Sequence, residues 1–135
     1  MENTARIAKI ATAIRETIDA GGETCATFEV VGRDELWLQF TGNAVNAAYP
    51  HGDDPKRNAA VKPLLEEPSP KPTGWEADTF ATFEFDGPNV DVIARWIDRY
   101  FVLVLGCRAE FYDVKVDVGD LGGADLDGDS SLIRS

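Results

Sequence analysis

The sequence contains few of the residues from which catalytic and metal centres are usually built. Its 135 residues include two cysteines, one histidine and one methionine. Two Cys and one His cannot complete a four-ligand zinc site without carboxylates, and two Cys are too few for a disulfide framework. We therefore predict that Cys25 and Cys107 are free thiols in apolar surroundings. The alternative is a mutual disulfide, since both begin predicted strands.

Recognisable reaction motifs are also missing. The chain has no nucleophile elbow, no HExxH zinc motif, no phosphate-binding glycine loop and no dinucleotide fingerprint. The glycine-rich GDLGGAD string lacks the lysine and the following helix that a phosphate site needs. The sequence thus predicts no cofactor and does not favour an enzyme.

Positive charge is scarce as well. Lys and Arg number 13 against 24 Asp and Glu, which gives a formal net charge of -11. Binding to nucleic acid or to an anionic membrane surface needs clustered Lys and Arg, so the charge balance argues against both. No apolar run approaches the roughly 20 residues of a membrane-spanning helix. Arg6, Lys9 and Arg15 interrupt every run that could serve as a secretory signal, so we predict a cytoplasmic protein.

The residues that are present predict one α+β domain. Isoleucines recur at spacings of three and four near the start, which predicts an amphipathic helix that ends at Gly21-Gly22. Three strands with alternating apolar residues and short turns then predict an antiparallel meander. These strands are CATFEVV (25–31), LWLQFT (36–41) and AVNAAY (44–49).

Residues 50–74 hold six of the seven prolines. This density predicts no sheet strand and no long helix, because Pro lacks the backbone donor that both need. The segment is interpreted as a Pro-rich crossover with room for a short helix over about 57–67. The alternative is a proline-rich peptide that another protein binds.

The second half predicts a strand, a helix and a last strand. The strand is ADTFATFEFD (77–86), the helix runs from Pro88 to Gly106, and the last strand covers 107–118. The predicted fold is α+β, with two main helices packed on one face of a mostly antiparallel five-stranded sheet. One parallel pair is expected from the final strand–helix–strand unit. Residues 1–118 form the predicted domain, and 119–135 an acidic, flexible tail.

The second face of this sheet is the candidate binding surface. Alternation places Trp37, Gln39, Thr27 and Glu29 on it, with Phe80 and Phe111 as further members. Trp37, Gln39 and Trp96 are the candidate partner-binding residues, because Trp is enriched in interface hot spots. Trp96 lies off the main apolar stripe of its helix, which predicts partial exposure. The alternative is that these side chains fill the core or the helix–sheet seam.

Two acidic strings are weak candidates for a metal site or a catalytic pair. The first is the HGDD string, with His51, Asp53 and Asp54. The second is the tail string DLDGDSS, with Asp125, Asp127 and Asp129. The alternatives are a polar turn between Pro50 and Pro55 and a solvated tail, respectively.

Several strings resemble the actinobacterial TY-Chap domains, which are grouped with the type III secretion chaperone and YbjN-like fold. They are ATFEVVGRDELWLQF (26–40), NAAYP (46–50), Gly74-Trp75 and VIARWIDRYFVLVLG (92–106). The resemblance covers about residues 5–106. It implies a chaperone or protein-binding module rather than an enzyme, and acidic dimers are typical of the related chaperones.

Three functions follow as hypotheses. The first is a non-enzymatic, chaperone-like module that binds a protein partner through the exposed sheet face and forms a homodimer. The second is an immunity or antitoxin-like protein that neutralises a basic partner through long-range attraction. The third is a small metal-binding protein or enzyme that uses the turn with His51, Asp53 and Asp54.

Overall fold

The computed structural model describes residues 4–21, 24–66, 70–87, 89–108 and 112–120. Within these ranges the chain forms an α+β structure of two α-helices and a six-stranded sheet. The helices are α1 (Thr4–Ala20) and α2 (Val90–Leu103). The strands are β1 (Thr24–Val30), β2 (Arg33–Thr41), β3 (Ala44–Ala48), β4 (Lys71–Glu76), β5 (Phe80–Glu84) and β6 (Val114–Asp120). Neither helix is long and apolar enough to cross a membrane.

The first half of the chain folds as the sequence predicts. The amphipathic helix α1 ends at Gly21, which has a φ of 67° and donates its N–H to Thr17 O at 3.1 Å. Short turns connect β1, β2 and β3 into an antiparallel meander. The turn from β2 to β3 passes through Gly42 at a φ of 64°, a backbone conformation that glycine adopts without strain.

The order of strands across the sheet is β4-β5-β3-β2-β1-β6, and every described pairing is antiparallel. The predicted parallel pair is therefore wrong. Strand β5 pairs with β3, whereas β6 crosses to the far side of the sheet and pairs with β1. Helix α2 thus connects strands at opposite sides of the sheet instead of bridging two neighbours.

The sixth strand, β4, lies in the segment where the prolines predicted no strand. It spans Lys71–Glu76 at one edge of the sheet, and its pairing with β5 shifts register between Pro72 and Gly74. An edge strand tolerates proline because half of its backbone donors have no neighbouring strand to bond. The prediction of five strands is therefore wrong by this one strand. In place of the short helix, two 3-10 turns form at Pro55–Arg57 and Lys62–Leu65.

The region between α2 and β6 agrees with prediction only in part. Gly106 ends the helix region as predicted, with a φ of 78°, and Cys107 N bonds back to Phe101 O at 2.9 Å. The last strand begins at Val114 rather than at 107. It continues through Gly119 and Asp120, so the predicted tail boundary at 118 falls two residues too early. Residues 121–135 lie outside the described ranges.

Both helices pack on one face of the sheet, and an aromatic cluster joins α2 to β5. Phe83 of β5 belongs to this cluster, with ring centroids 4.9 Å from Trp96 and 5.8 Å from Tyr100. Trp96 also donates its indole N–H to Leu64 O at 2.9 Å. Trp96 is only 5% exposed, so the prediction that it is partly exposed is wrong. The 3-10 turn that contains Leu64 covers the side of α2 from which Trp96 projects.

A buried ion pair joins the two helices to the segment before β6. Arg6 of α1 donates from Nε to Asp98 Oδ1 of α2 at 2.7 Å, and these residues are 3% and 4% exposed. Tyr112 donates its hydroxyl to the same carboxylate oxygen at 2.5 Å, and its ring lies 3.8 Å from the Arg6 guanidinium carbon. Burial, followed by the hydrogen bond to Asp98, raises the pKa of Tyr112, which keeps this hydroxyl a donor.

Candidate functional site

The face of the sheet opposite the helices is called the open face here. Among the described residues, both α-helices and the core cluster lie on the other face. Cross-strand partners share a face, so the registers assign its side chains strand by strand. Its members include Thr27 and Glu29 of β1, Trp37 and Gln39 of β2, Asn46 of β3, and Phe80 and Thr82 of β5. Phe111 lies outside the described ranges.

A row of uncharged polar side chains crosses the middle of the open face. Thr27, Gln39, Asn46 and Thr82 stand directly across from one another in successive strand pairs. Gln39 Nε2 donates to Thr27 Oγ1 at 3.4 Å, and Thr82 Oγ1 donates to Asn46 Oδ1 at 2.9 Å. Part of the hydrogen-bonding capacity of this polar row is thus met within the sheet.

An apolar strip runs beside the polar row. It consists of Trp37, Ala48 and Phe80. Ala48 pairs with Phe80 across β3 and β5. Leu38 pairs with Ala47 across β2 and β3, so one residue further along Trp37 lies opposite Ala48. Trp37 and Phe80 are both partly exposed. The strip therefore places two aromatic side chains on the open face with only an alanine between them.

Charged side chains surround these two rows. The acidic ones are Glu29, Glu76, Glu84 and Asp117, and the basic ones are Lys71 and Lys115. The centre of the open face therefore consists of the uncharged polar row and the apolar strip. The charged residues around them are acidic on balance. That arrangement resembles the anatomy of a protein interface, in which charges are depleted at the core and collect at the rim.

The three candidate partner-binding residues do not lie together. Trp37 and Gln39 are neighbours on the open face, whereas Trp96 is in the core on the other side of the sheet. Trp75 is a more exposed tryptophan, at 40%. It pairs with the buried Ala81, however, so it lies on the helix side of edge strand β4. The open face therefore contains two of the three predicted residues.

The three HGDD side chains make three separate structural contacts. His51 Nε2 lies 3.1 Å from Val104 O, a contact that requires the tautomer protonated at Nε2. Asp53 accepts hydrogen bonds from Tyr49 and Asn58, and Asp54 accepts from Lys56 N at 2.9 Å and caps a 3-10 turn. Across the described ranges, no group of three or more His, Cys, Asp or Glu side chains is placed to hold a metal ion.

The Asp53 contacts give this turn a measurable pH signature. Asn58 Nδ2 donates to Asp53 Oδ1 at 3.0 Å, and this bond is the main reason that the pKa of the Asp53 carboxyl lies below its ordinary value. Tyr49, whose hydroxyl lies 3.1 Å from the same oxygen, lowers the pKa further. The ionised carboxylate therefore favours the folded turn above the ordinary Asp pKa, and this contribution is lost as pH falls through the lowered value.

The variant Asn58→Ala should raise the pKa of Asp53 toward its ordinary value, because the stronger of the two donors is gone. A carbon-13 NMR titration of the Asp53 carboxyl measures this directly. Tyr49→Phe serves as the graded comparison and should move the pKa in the same direction by less. An unchanged midpoint in Asn58→Ala would show that the carboxylate is not held in this way.

The remaining candidates are the two cysteines and the carboxylates of the tail. Cys25 and Cys107 do not form a disulfide with each other, so the disulfide alternative is wrong. Cys25 follows the open-face alternation of β1, opposite Gly119, while burial raises the pKa of the Cys107 thiol. Asp125, Asp127 and Asp129 lie outside the described ranges.

Sequence reasoning missed one part of the site. The sequence pattern of its strand does not place Asn46 on the open face. Its link to Thr82 requires the pairing of β3 with β5, two strands separated by the Pro-rich crossover.

Comparison with protein-family models, with curated proteins and with solved structures finds no significant match for this chain.

Proposed function

We propose that this chain is a non-enzymatic, chaperone-like module that binds another protein against its open face. The observation that carries the proposal is the combination of the polar row with the apolar strip. Covering polar groups costs little when they already hydrogen-bond to one another, because fewer partners are lost with the water. The aromatic side chains of Trp37 and Phe80 supply the apolar contact from which binding free energy would come.

The order of elements and the strings shared with TY-Chap domains support the same reading. Membership in that family remains part of the proposal, because it rests on the pattern of residues alone. The third hypothesis gains no support from the geometry: His51, Asp53 and Asp54 are directed to a helix carbonyl, an asparagine and a backbone N–H. A catalytic pair or metal site would bring them toward one point.

The proposal predicts that Trp37→Ala weakens partner capture strongly. A photoreactive amino acid in place of Gln39 should cross-link the partner in cells that express the chain, and Trp37→Ala should lower the yield. Truncating a central hot-spot tryptophan typically costs about 2–4 kcal/mol, or about 30-fold or more in affinity. Cross-linking yield at limiting protein concentration, analysed by mass spectrometry, is the measurement.

The matched control is Trp75→Ala, which removes a more exposed tryptophan from the helix side of the sheet. It should leave the cross-linking yield at the wild-type level. Equal losses in the two variants, or equal cross-linking from a photoreactive residue placed at the exposed Leu103, would contradict binding through the open face.

A basic partner is the second candidate, and the charges around the face favour it. Four carboxylates and two lysines border the polar row and the apolar strip, as described above. Long-range attraction to a basic protein weakens as salt rises, whereas contact through the apolar strip does not. A partner that dissociates between low and physiological ionic strength would support this immunity-like or antitoxin-like role over the chaperone-like one.

A further inference from the structure

The two edges of the sheet are built differently. Strand β4 carries Pro72 and a register shift beside it, both of which hinder the addition of another strand. Strand β6 has no proline and pairs with β1 in unbroken register over all seven of its residues. Among the described residues, no strand pairs with the outer side of β6. This edge is therefore the one that can accept a further strand.

The hydrogen bonds show which backbone groups of β6 point outward. Val31 N donates to Asp113 O at 3.0 Å, so the backbone of Asp113 faces β1. Backbone direction alternates along a strand, so the N–H and C=O groups of Val114, Val116 and Val118 face away from β1. Lys9 Nζ donates to Val114 O at 2.7 Å and thus reaches around this edge.

The outward N–H of Val114 is also hydrogen-bonded, because it donates to Asp113 Oδ1 at 2.8 Å. Both outward groups of Val114 are therefore satisfied within the chain. Those of Val116 and Val118, in the middle of the strand, belong to residues with no strand beside them among the described ranges.

The charge pattern of β6 is complementary to that of a second, antiparallel copy of the same strand. Residues 114–118 read Val-Lys-Val-Asp-Val, with both charged side chains exposed and directed to the open-face side. We propose that a second copy of this chain adds to the edge, β6 against β6, in antiparallel register centred on Val116. Lys115 of each copy then lies across from Asp117 of the other, so two opposite-charge pairs form about one two-fold axis.

Charge also selects this register over its neighbour. Pairing centred on Asp117 would set two identical carboxylates directly opposite each other, which is unfavourable. In the register centred on Val116, the two central valines exchange two backbone hydrogen bonds. The N–H of Val118 in one copy donates to Val114 O of the other copy. That oxygen can accept it because its second lone pair is not used by Lys9.

The product is one continuous twelve-stranded sheet whose open face stays uncovered. The proposal therefore does not rest on the proposed function, and either can fail while the other holds. Contact along a single edge is small, and each copy carries a net charge of -11 that opposes association. We expect a weak dimer, with a dissociation constant of about 10 μM to 1 mM.

The test is a charge swap followed by analytical ultracentrifugation over this range of concentrations. Wild-type protein should dimerise with rising concentration. The variants K115D and D117K should each dimerise at least about tenfold more weakly, because like charges then face each other twice. An equimolar mixture of the two variants should restore the dimer, since every facing pair is then opposite in charge.

Two further variants keep the proposal falsifiable. K71D makes the same charge change as K115D at the opposite edge of the sheet and should dimerise like wild type. V116P removes an outward N–H that β1 does not use and should fold, by circular dichroism, but stay monomeric. A wild-type protein that is monomeric throughout, or a dimer that survives both single swaps, would overturn self-pairing through β6.

Discussion

Arg6→Met should lower the free energy of unfolding by about 3–5 kcal/mol, the usual effect of removing one partner from a buried ion pair. Asp98 would keep the Tyr112 hydroxyl as a donor but lose the Nε–H that lies 2.7 Å away. The guanidinium bond to Tyr112 O, at 3.0 Å, would be lost as well. Urea denaturation followed by circular dichroism measures the change.

The structure provides a matched control for this variant. Arg15 and Asp91 also join α1 to α2, at 3.6 Å, but their side chains are well exposed. Arg15→Met should therefore cost no more than about 1 kcal/mol. The double variant Arg6→Met, Asp98→Leu should recover part of the loss, because no charge is left buried without a partner. Similar losses in the two Arg variants would contradict this account.

Phe83→Ala is expected to cost about 3–5 kcal/mol, because it removes one ring of the aromatic cluster and leaves a cavity. Phe83 is fully buried, and its edge-on contacts to Trp96 and Tyr100 join β5 to α2. Those larger rings are held by their own bonds to Leu64 O and Ala48 O, so they cannot move far to fill the space. The midpoint of urea unfolding should fall while the slope stays constant.

Phe80→Ala is the control on the same strand. Phe80 lies three residues away on the open face and is partly exposed, so its truncation should cost about 1 kcal/mol. It should instead reduce partner capture, as Trp37→Ala does. Two aromatic residues of β5 would then separate stability from binding. A large loss of stability in Phe80→Ala would mean that the open face is part of the core.

Local patterns predicted the parts of the fold in which neighbours in sequence are neighbours in space. In β2, Leu36 and Leu38 alternate with Trp37 and Gln39, and this alternation determines which residues meet the helices. The same reasoning predicted the α1 boundary at Gly21 and the meander. It also placed Trp37 and Gln39 on the open face before any strand partner outside the meander was known.

Strand order was not predictable in this way, because it depends on pairings between distant segments. Strand β4 was missed because its prolines were judged by the rule for central strands, although the segment lies at an edge. The parallel pair was predicted from the strand–helix–strand order of the second half. The order of elements along the chain does not reveal that α2 leads to the far edge of the sheet.

The prediction of a partly exposed Trp96 failed for a similar reason, and the weak HGDD candidate gains no support. The helical pattern of α2 places Trp96 beside the main apolar stripe, but it does not reveal that the turn at Lys62–Leu65 covers this side. The HGDD string places His51 and Asp53 two residues apart, yet their side chains are drawn to different elements. Proximity in sequence was a poor guide where the Pro-rich crossover folds back on α2.

The strand order has a consequence for the folding pathway. Strands β1, β2 and β3 occupy adjacent central positions and can pair by closing only short loops. Strand β6 joins β1 only after more than half of the chain has been spanned, from Val30 to Val114. Loop-closure entropy and the need for a docked α2 place this step late in the folding reaction. The central strands should therefore form the nucleus, and the β6 edge should be the cooperative unit that opens first.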